Sequence, residues 1–408
     1  MPSISALEYR IRVLTSAAEV LPADWNRLLQ AQALPTPFMR HEYLLALEAS
    51  GSANSDTGWQ PAWLTLWDGP HLRAACALYL KTHSYGEYVF DWSWADAYRR
   101  HGLAYYPKAL GAVPFTPVPG SRLLAEDEAW RGRLVEALGR FTRQTGLSSA
   151  HVLFIDEADR AAFERAGWMI RQGVQFHWQQ DAADPVADFT GLLQRMQRDK
   201  RKKIQQERRR VAEAGVSFSV HEGEAIDGGL WDFFHHCYTL TYRAHHSTPY
   251  LTRDFFRRMA ATMAAHWVLF VARQHGEPVA CSLIAVDGAH GAAWGRYWGA
   301  TRHVPCLHFE ACYYQPLQWC IAHGYGRFEG GAQGEHKMAR GLLPVGTASA
   351  HRVADPRFAA AIAEALAQER SGMARYVDEL REHSPFKNGE GHPQVASQVG
   401  SPVPAPPD

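Results

Sequence analysis

Residues 268–323, VLFVARQHGEPVACSLIAVDGAHGAAWGRYWGATRHVPCLHFEACYYQPLQWCIAH, decide the fold. Val268–Ala272 is an apolar, β-rich run, His275-Gly276 is a turn dipeptide, and Pro278–Val286 and Ala292–Trp298 are two further runs of strand length. From Leu307 to His323 the apolar residues recur at helical spacing. The segment predicts a three-strand meander that feeds a helix.

Working outward, Trp231–Tyr242 and Asp254–Ala265 read as helices, Arg327–Glu329 as a strand and Pro356–Gln368 as a terminal helix. A long basic helix is expected from Asp188 to Ala214, stopped by Gly215. The first half repeats the pattern. Ala62–Trp67, the turn Asp68-Gly69 and Leu72–Leu80 predict a hairpin, and an aromatic segment follows from His83 to Lys108. Pro114, Pro117 and Pro119 exclude Val113–Gly120 from helix interiors and central strands. Helices Asp127–Thr145 and Glu157–Ala166 then alternate with strands His151–Ile155 and Trp168–Trp178. This duplication predicts an α+β chain of two units, 1–182 and 183–383, with the boundary at Ala182–Pro185. A tail at 384–408, rich in Pro, Gly, Ser and Gln, is expected to be disordered.

Composition narrows the function classes. Lys plus Arg and Asp plus Glu number 42 each, so net charge predicts no general affinity for nucleic acid, and DNA is not an expected partner. Glu8, Arg10 and Arg12 interrupt what would be the apolar core of a signal peptide. No run nears the roughly 18 apolar residues of a membrane span. The six cysteines show no CxxC pair, so reduced thiols, a cytoplasmic location and no integral membrane association are expected.

Local patches carry the chemistry. Nine Lys or Arg between Arg195 and Arg210, against Asp199 and Glu207, make Lys200, Arg201, Lys202, Lys203 and Arg208 candidates for binding a phosphate backbone or pyrophosphate. A solvated face laced with i,i+4 pairs is the alternative. In Glu329-Gly-Gly-Ala-Gln-Gly-Glu-His-Lys337, glycines allow a tight turn after a strand. Gln333, Glu335, His336, Lys337 and Arg340 then supply polar and charged groups, the first and last for substrate and the rest for catalysis. Glu310 is a second candidate base for an attacking amine, or else a carboxylate favoured near a helix N-terminus. His308 and Cys312 share a helix face at a spacing of four, but no second ligand pair accompanies them, and no metal site is expected. Glu87, Asp91, Trp92, Tyr105, Tyr106 and Lys108 read either as a groove for a sugar or peptide or as an aromatic core around buried acids. Arg296, Tyr297 and Trp298 end the last meander strand beside His308 and are candidate substrate contacts.

Six stretches carry a family resemblance: 83–98 (HSYGEYVFDWSWADAY), 105–118 (YYPKALGAVPFTPV), 200–211 (KRKKIQQERRRV), 295–300 (GRYWGA), 307–315 (LHFEACYYQ) and 331–351 (GAQGEHKMARGLLPVGTASAH). Together with the meander and helix, they resemble the FemAB-like, peptidoglycan biosynthesis or recognition, branch of the GNAT acyltransferases, over about residues 37–370. The resemblance implies a bacterial protein of two tandem GNAT-like domains, each a mixed, mainly antiparallel twisted sheet flanked by helices. It implies an acyl- or aminoacyltransferase acting on a small-molecule or peptide amine, such as a cell-wall precursor. The co-substrate would be acyl-CoA or aminoacyl-tRNA, with no tightly bound cofactor and with tRNA as the macromolecular partner. Where coenzyme A binders carry Arg/Gln-x-x-Gly-x-Gly/Ala, this chain has Arg296-Tyr-Trp-Gly-Ala-Thr301, so the donor stays open between the two. A binding protein that kept the fold without the chemistry is the alternative.

Overall fold

The structure is a computed structural model that describes residues 9–332 and 334–387. Its first-half strands are β1 (Arg10–Leu14), β2 (Trp59–Pro61), β3 (Trp63–Asp68), β4 (His71–Cys76), β5 (Leu78–Lys81), β6 (Lys108–Gly111), β7 (Leu124–Ala125), β8 (Ser149–Ile155) and β9 (Met169–Gln179). The second half adds β10 (Val216–Glu222), β11 (Trp267–Gln274), β12 (Glu277–Asp287), β13 (Ala292–Ala300), β14 (Arg327–Glu329) and β15 (Leu343–Val353). Helices flank the sheets, and the class is α+β. The tail beyond 387 and Gln333 lie outside the described residues.

The expected hairpin forms, as β3 and β4, but the run Leu72–Leu80 does not stay one strand. It breaks at Ala77, so that β4 joins a four-stranded sheet (β1-β3-β4-β7) while β5 joins the larger one between β2 and β6. The larger sheet has the order β10-β11-β12-β13-β14-β9-β15-β8-β6-β5-β2. Strands of both halves thus share one ladder. β15 inserts between β8 and β9, antiparallel to both, with Leu343 opposite His177 and Ala350 opposite Val152.

The meander β11-β12-β13 is buried on both faces, which explains its nearly unbroken apolar runs. Trp267, Leu269, Val271, Leu283 and Ala285 pack toward one core, whereas Val268, Phe270, Ile284 and Val286 pack toward another under helix Gln315–Ala322. Helix Gly228–Ala244 crosses β13 so closely that a Cβ on Gly299 would sit 2.0 Å from the Cys237 carbonyl oxygen. Backbone cannot yield as a side chain can. Gly299→Ala is expected to cost about 3 kcal/mol, read as a lowered urea midpoint with unchanged slope.

Three helical expectations are corrected. The basic helix is two, Phe189–Arg195 and Arg198–Glu213, because Met196 turns extended, is fully buried and bridges to Phe386. The aromatic segment contains a helix, Trp92–Arg100, that its sequence did not announce. The terminal helix runs from Pro356 to Glu382 rather than to Gln368.

Candidate functional site at the parting of two strands

β13 and β14 pair in parallel only where Ala292–Trp294 meets Arg327–Glu329. Beyond that point β13 runs on to Ala300, while the chain after β14 turns away through Gly330 and Gly331. Gly331 has φ 79°, a left-handed conformation that suits glycine. A cavity of about 590 Å³ opens in the gap, within the usual range for a ligand site.

Register produces the charge in that cavity. Leu283 lies opposite Tyr297 and Ile284 opposite Gly295, so Arg296 is an extra residue, a β-bulge that re-aims its side chain. Its Nη2 donates to Phe115 O and Thr116 Oγ1 at 3.1 Å each and to Tyr297 OH at 3.0 Å. Tyr238 and Tyr242 come from helix Gly228–Ala244, and Tyr250 stacks on Phe115 at 4.5 Å. On the other side lie His308, Cys312 and Tyr313. They belong to a helix that starts at Leu307 and widens into a π-turn over Glu310–Tyr314, a device common at functional sites. Burial, helped by the charges of His336, Arg340 and Lys337, pushes His308 down to about 4, so it is neutral at pH 7. Trp298 packs against His308 at 5.3 Å.

The 83–98 segment divides its labour by position. Tyr85, Tyr88, Phe90 and Trp92 line the cavity. Ser84, Glu87 and Asp91 point inward to Lys108, whose Nζ donates to Ser84 Oγ and Glu87 Oε2 at 2.8 Å each and to Asp91 Oδ2. All four are buried. Tyr105 OH donates to Asp91 at 2.6 Å and lies 3.1 Å from His151, which shares a proton with His351 at 2.8 Å. Tyr106 OH meets Ser84 at 2.8 Å. Glu87, Asp91, Tyr105 and Lys108 thus form the frame behind the wall.

The structure keeps several other candidates out of the cavity. Glu310 is buried against Arg208 (3.0 Å) and Gln315 (2.7 Å). Glu335 accepts from Tyr376 at 2.5 Å on the exposed side of the terminal helix. Arg340 pairs with Glu207 at 3.1 Å and lies over the Phe309 ring. Lys337 Nζ donates to Gly331 O (2.9 Å) and Ala332 O (3.1 Å), which makes it the clip that shapes the loop after β14. Burial brings it down to about 8. His336 approaches the cavity at one remove, 3.2 Å from Tyr313 OH.

On helix Arg198–Glu213, Ile204, Glu207 and Val211 face inward. Arg198, Lys202, Lys203, Arg209 and Arg210 are exposed and have no ion pair among the described residues. Lys200 pairs with Asp199 at 3.4 Å, Arg208 is committed to Glu310, and Arg201 is half-buried.

Sequence reasoning did not single out Glu329, which lies buried directly behind the cavity lining. It ends β14, immediately before the glycine rim. Burial raises it to about 7 against the pull of Arg327, and its Oε2 has no hydrogen-bond partner among the described residues. His177 Nε2 stands 3.8 Å from that oxygen, and Gln175 links His177 to the carbonyl of Pro117, which lines the cavity. A lone acid at a strand end followed by two glycines was the available signal.

The fold has counterparts among known proteins. The solved structure of FemX superposes with a TM-score of 0.53 at 9% identity, covering 84% of this chain and 98% of that one. L-PGS from Bacillus licheniformis gives 0.50 at 12% identity, covering 81% and 92%. A tandem GNAT protein from the clavulanic acid biosynthesis pathway gives 0.44 at 12% identity, covering 86% and 99%. A search of the curated proteins finds no match. Among the described residues no helix is long and apolar enough to cross a membrane. A family model described as peptidoglycan biosynthesis/recognition matches residues 16–388, nearly the whole length, and the chain belongs to that FemAB-like family.

Proposed function

We propose that the protein transfers an aminoacyl or acyl group from an activated donor to an amine acceptor across the parting of β13 and β14. The observation that carries this reading is the cavity itself, which reaches the π-turn helix on one side of the sheet and the tyrosine-lined wall on the other. Donor and acceptor held on opposite sides meet at the gap, which converts a bimolecular encounter into a positioned one. The acceptor amine attacks the donor carbonyl, an amide bond forms and the ester or thioester C–O or C–S bond breaks. Glu329, buried one residue behind the Gly330–Gly331 rim, takes the amine proton through an intervening water and returns it to the leaving oxygen or sulfur. Residues of both 1–182 and 183–383 line the site, the second unit supplying the π-turn helix and sharing the tyrosine-lined wall with the first.

An aminoacyl ester on tRNA is the favoured donor. The N–H of Thr301, where a coenzyme A pyrophosphate would need a backbone donor, is bonded to Val279 O at 2.8 Å. The unpaired cations of helix Arg198–Glu213 suit a phosphate backbone. A cell-wall precursor is the acceptor that the family description favours. Recognition without chemistry is a second reading, favoured by one observation: Glu310, Lys337 and Arg340 are all satisfied internally.

The test titrates the purified protein with charged tRNA at two salt concentrations. Replacing Lys202, Lys203, Arg209 and Arg210 by Gln is expected to reduce the log K against log salt slope by about 3, at roughly 0.7–0.9 per lost phosphate contact. An unchanged slope removes the helix from donor binding, and tight acetyl-coenzyme A binding instead makes the protein an acyl-CoA transferase.

A further inference from the structure

Arg296 is a cation without a counter-ion. No carboxylate pairs with it among the described residues, its Nε has no hydrogen-bond partner, and only Nη2 is engaged. The guanidinium lies between the Phe38 and Tyr297 rings, 5.0 Å from each centroid. Glu329, on the neighbouring strand, feels the charge of Arg296 but is 3.4 Å from Arg327 and drawn toward its neutral form by burial. Holding an unpaired charge among aromatic walls is costly, and the cost is relieved when an anion enters. The other cations nearby are spoken for, Lys337 by two carbonyls and Lys108 by two carboxylates. One free cation matches one negative charge.

The walls describe the rest of the ligand. Tyr88, Tyr238, Tyr242, Tyr250 and Phe115 line the cavity with aromatic rings and a few hydroxyls, and the stacked Phe115–Tyr250 pair is inclined by only 8°. Such walls favour a flat apolar body over a flexible polar one. We infer that the tyrosine-lined end of the cavity binds a monocarboxylate with an aromatic or similarly flat body, its carboxylate received by Arg296. This binding does not rest on the transfer reading.

Calorimetric titration of the full chain, without any donor, tests it. The probes are matched acid and amide pairs: benzoate and benzamide, phenylacetate and phenylacetamide, N-acetyl-L-tyrosine and its amide, with phenyl phosphate as the dianion. At least one acid is expected to bind about tenfold more tightly than its amide and more tightly than phenyl phosphate, the scale of one charge-assisted hydrogen bond. In Arg296→Met that preference should shrink to about threefold or less. Arg296→Gln, which keeps a donor for the Phe115 carbonyl, serves if the Met variant fails to fold. Equal binding of acids and amides, a preference that survives loss of Arg296, tighter phenyl phosphate, or no acid binding below about 10 mM would each overturn the inference. Because no donor is present, this result is independent of whether transfer occurs.

Discussion

Replacing Glu329 with Gln is expected to slow amide formation about 10²-fold or more, with little change in substrate binding. The side chain keeps its shape and its neighbours but loses the ability to take a proton. The pH dependence gives the second readout. A base near 7 must be ionised to work, so kcat/KM in the wild type should rise with pH through about 7 and then level. In Glu329→Gln that limb should disappear. Stability moves the opposite way. A carboxyl whose folded pKa is raised stabilises the fold below its ordinary value of 4.5, and the contribution is lost as pH rises through about 7. Gln mimics the protonated form, so the variant should gain on the wild type between about pH 4.5 and pH 7 and keep that gain at higher pH. A variant that loses stability at every pH, with its pH–rate limb intact, would make Glu329 a structural residue only.

Lys108→Met is expected to cost about 3–5 kcal/mol, the typical result of stripping one partner from a buried ion pair. Lys108 is completely buried between Glu87 and Asp91. Burial raises Glu87 to about 7 even with Lys108 pulling it down. Burial also opposes ionisation of Asp91, yet Lys108 and its other neighbours hold it well below the usual carboxylate range. Asp91 is therefore the charge left exposed to a low dielectric when the ammonium is removed. Lys108→Met/Asp91→Asn should recover most of the loss, because no uncompensated charge remains. The thermal or urea midpoint reads both. The single variant should also weaken ligand binding, since Tyr85 and Tyr88, beside Glu87, and Trp92, next to Asp91, form the cavity wall.

Local pattern made part of the fold legible. The meander, the β3–β4 hairpin and the helix after Cys306 rest on apolar runs and turn dipeptides a few residues apart, and each forms, although the second hairpin run divides at Ala77 between two sheets. The insertion of β15 was not legible. Its sequence, LPVGTASAHRV, is small and polar, and its partners lie about 170–200 residues upstream, so its pairing is fixed by space left between β8 and β9 rather than by its own pattern. Met196 broke the basic helix for a similar reason, because its partner Phe386 is remote in sequence. The candidate site divides along the same line. Arg296, Tyr297, Trp298 and His308 were visible because they flank the meander's last strand and the helix start. Lys337 and Arg340 were visible as charges, but only three-dimensional packing reveals that loop carbonyls and Glu207 already occupy them. Glu329 was hidden because its raised pKa comes from burial, which one acid in a short strand does not announce.

The most direct test of the central claim is transfer of a radiolabelled amino acid from charged tRNA to an amine-bearing cell-wall precursor, run with wild type and Glu329→Gln in parallel. The account predicts labelled amide product with the wild type and about 10²-fold less with the variant. Binding of both substrates with no labelled product from either protein would contradict it, and would make the cavity a recognition site.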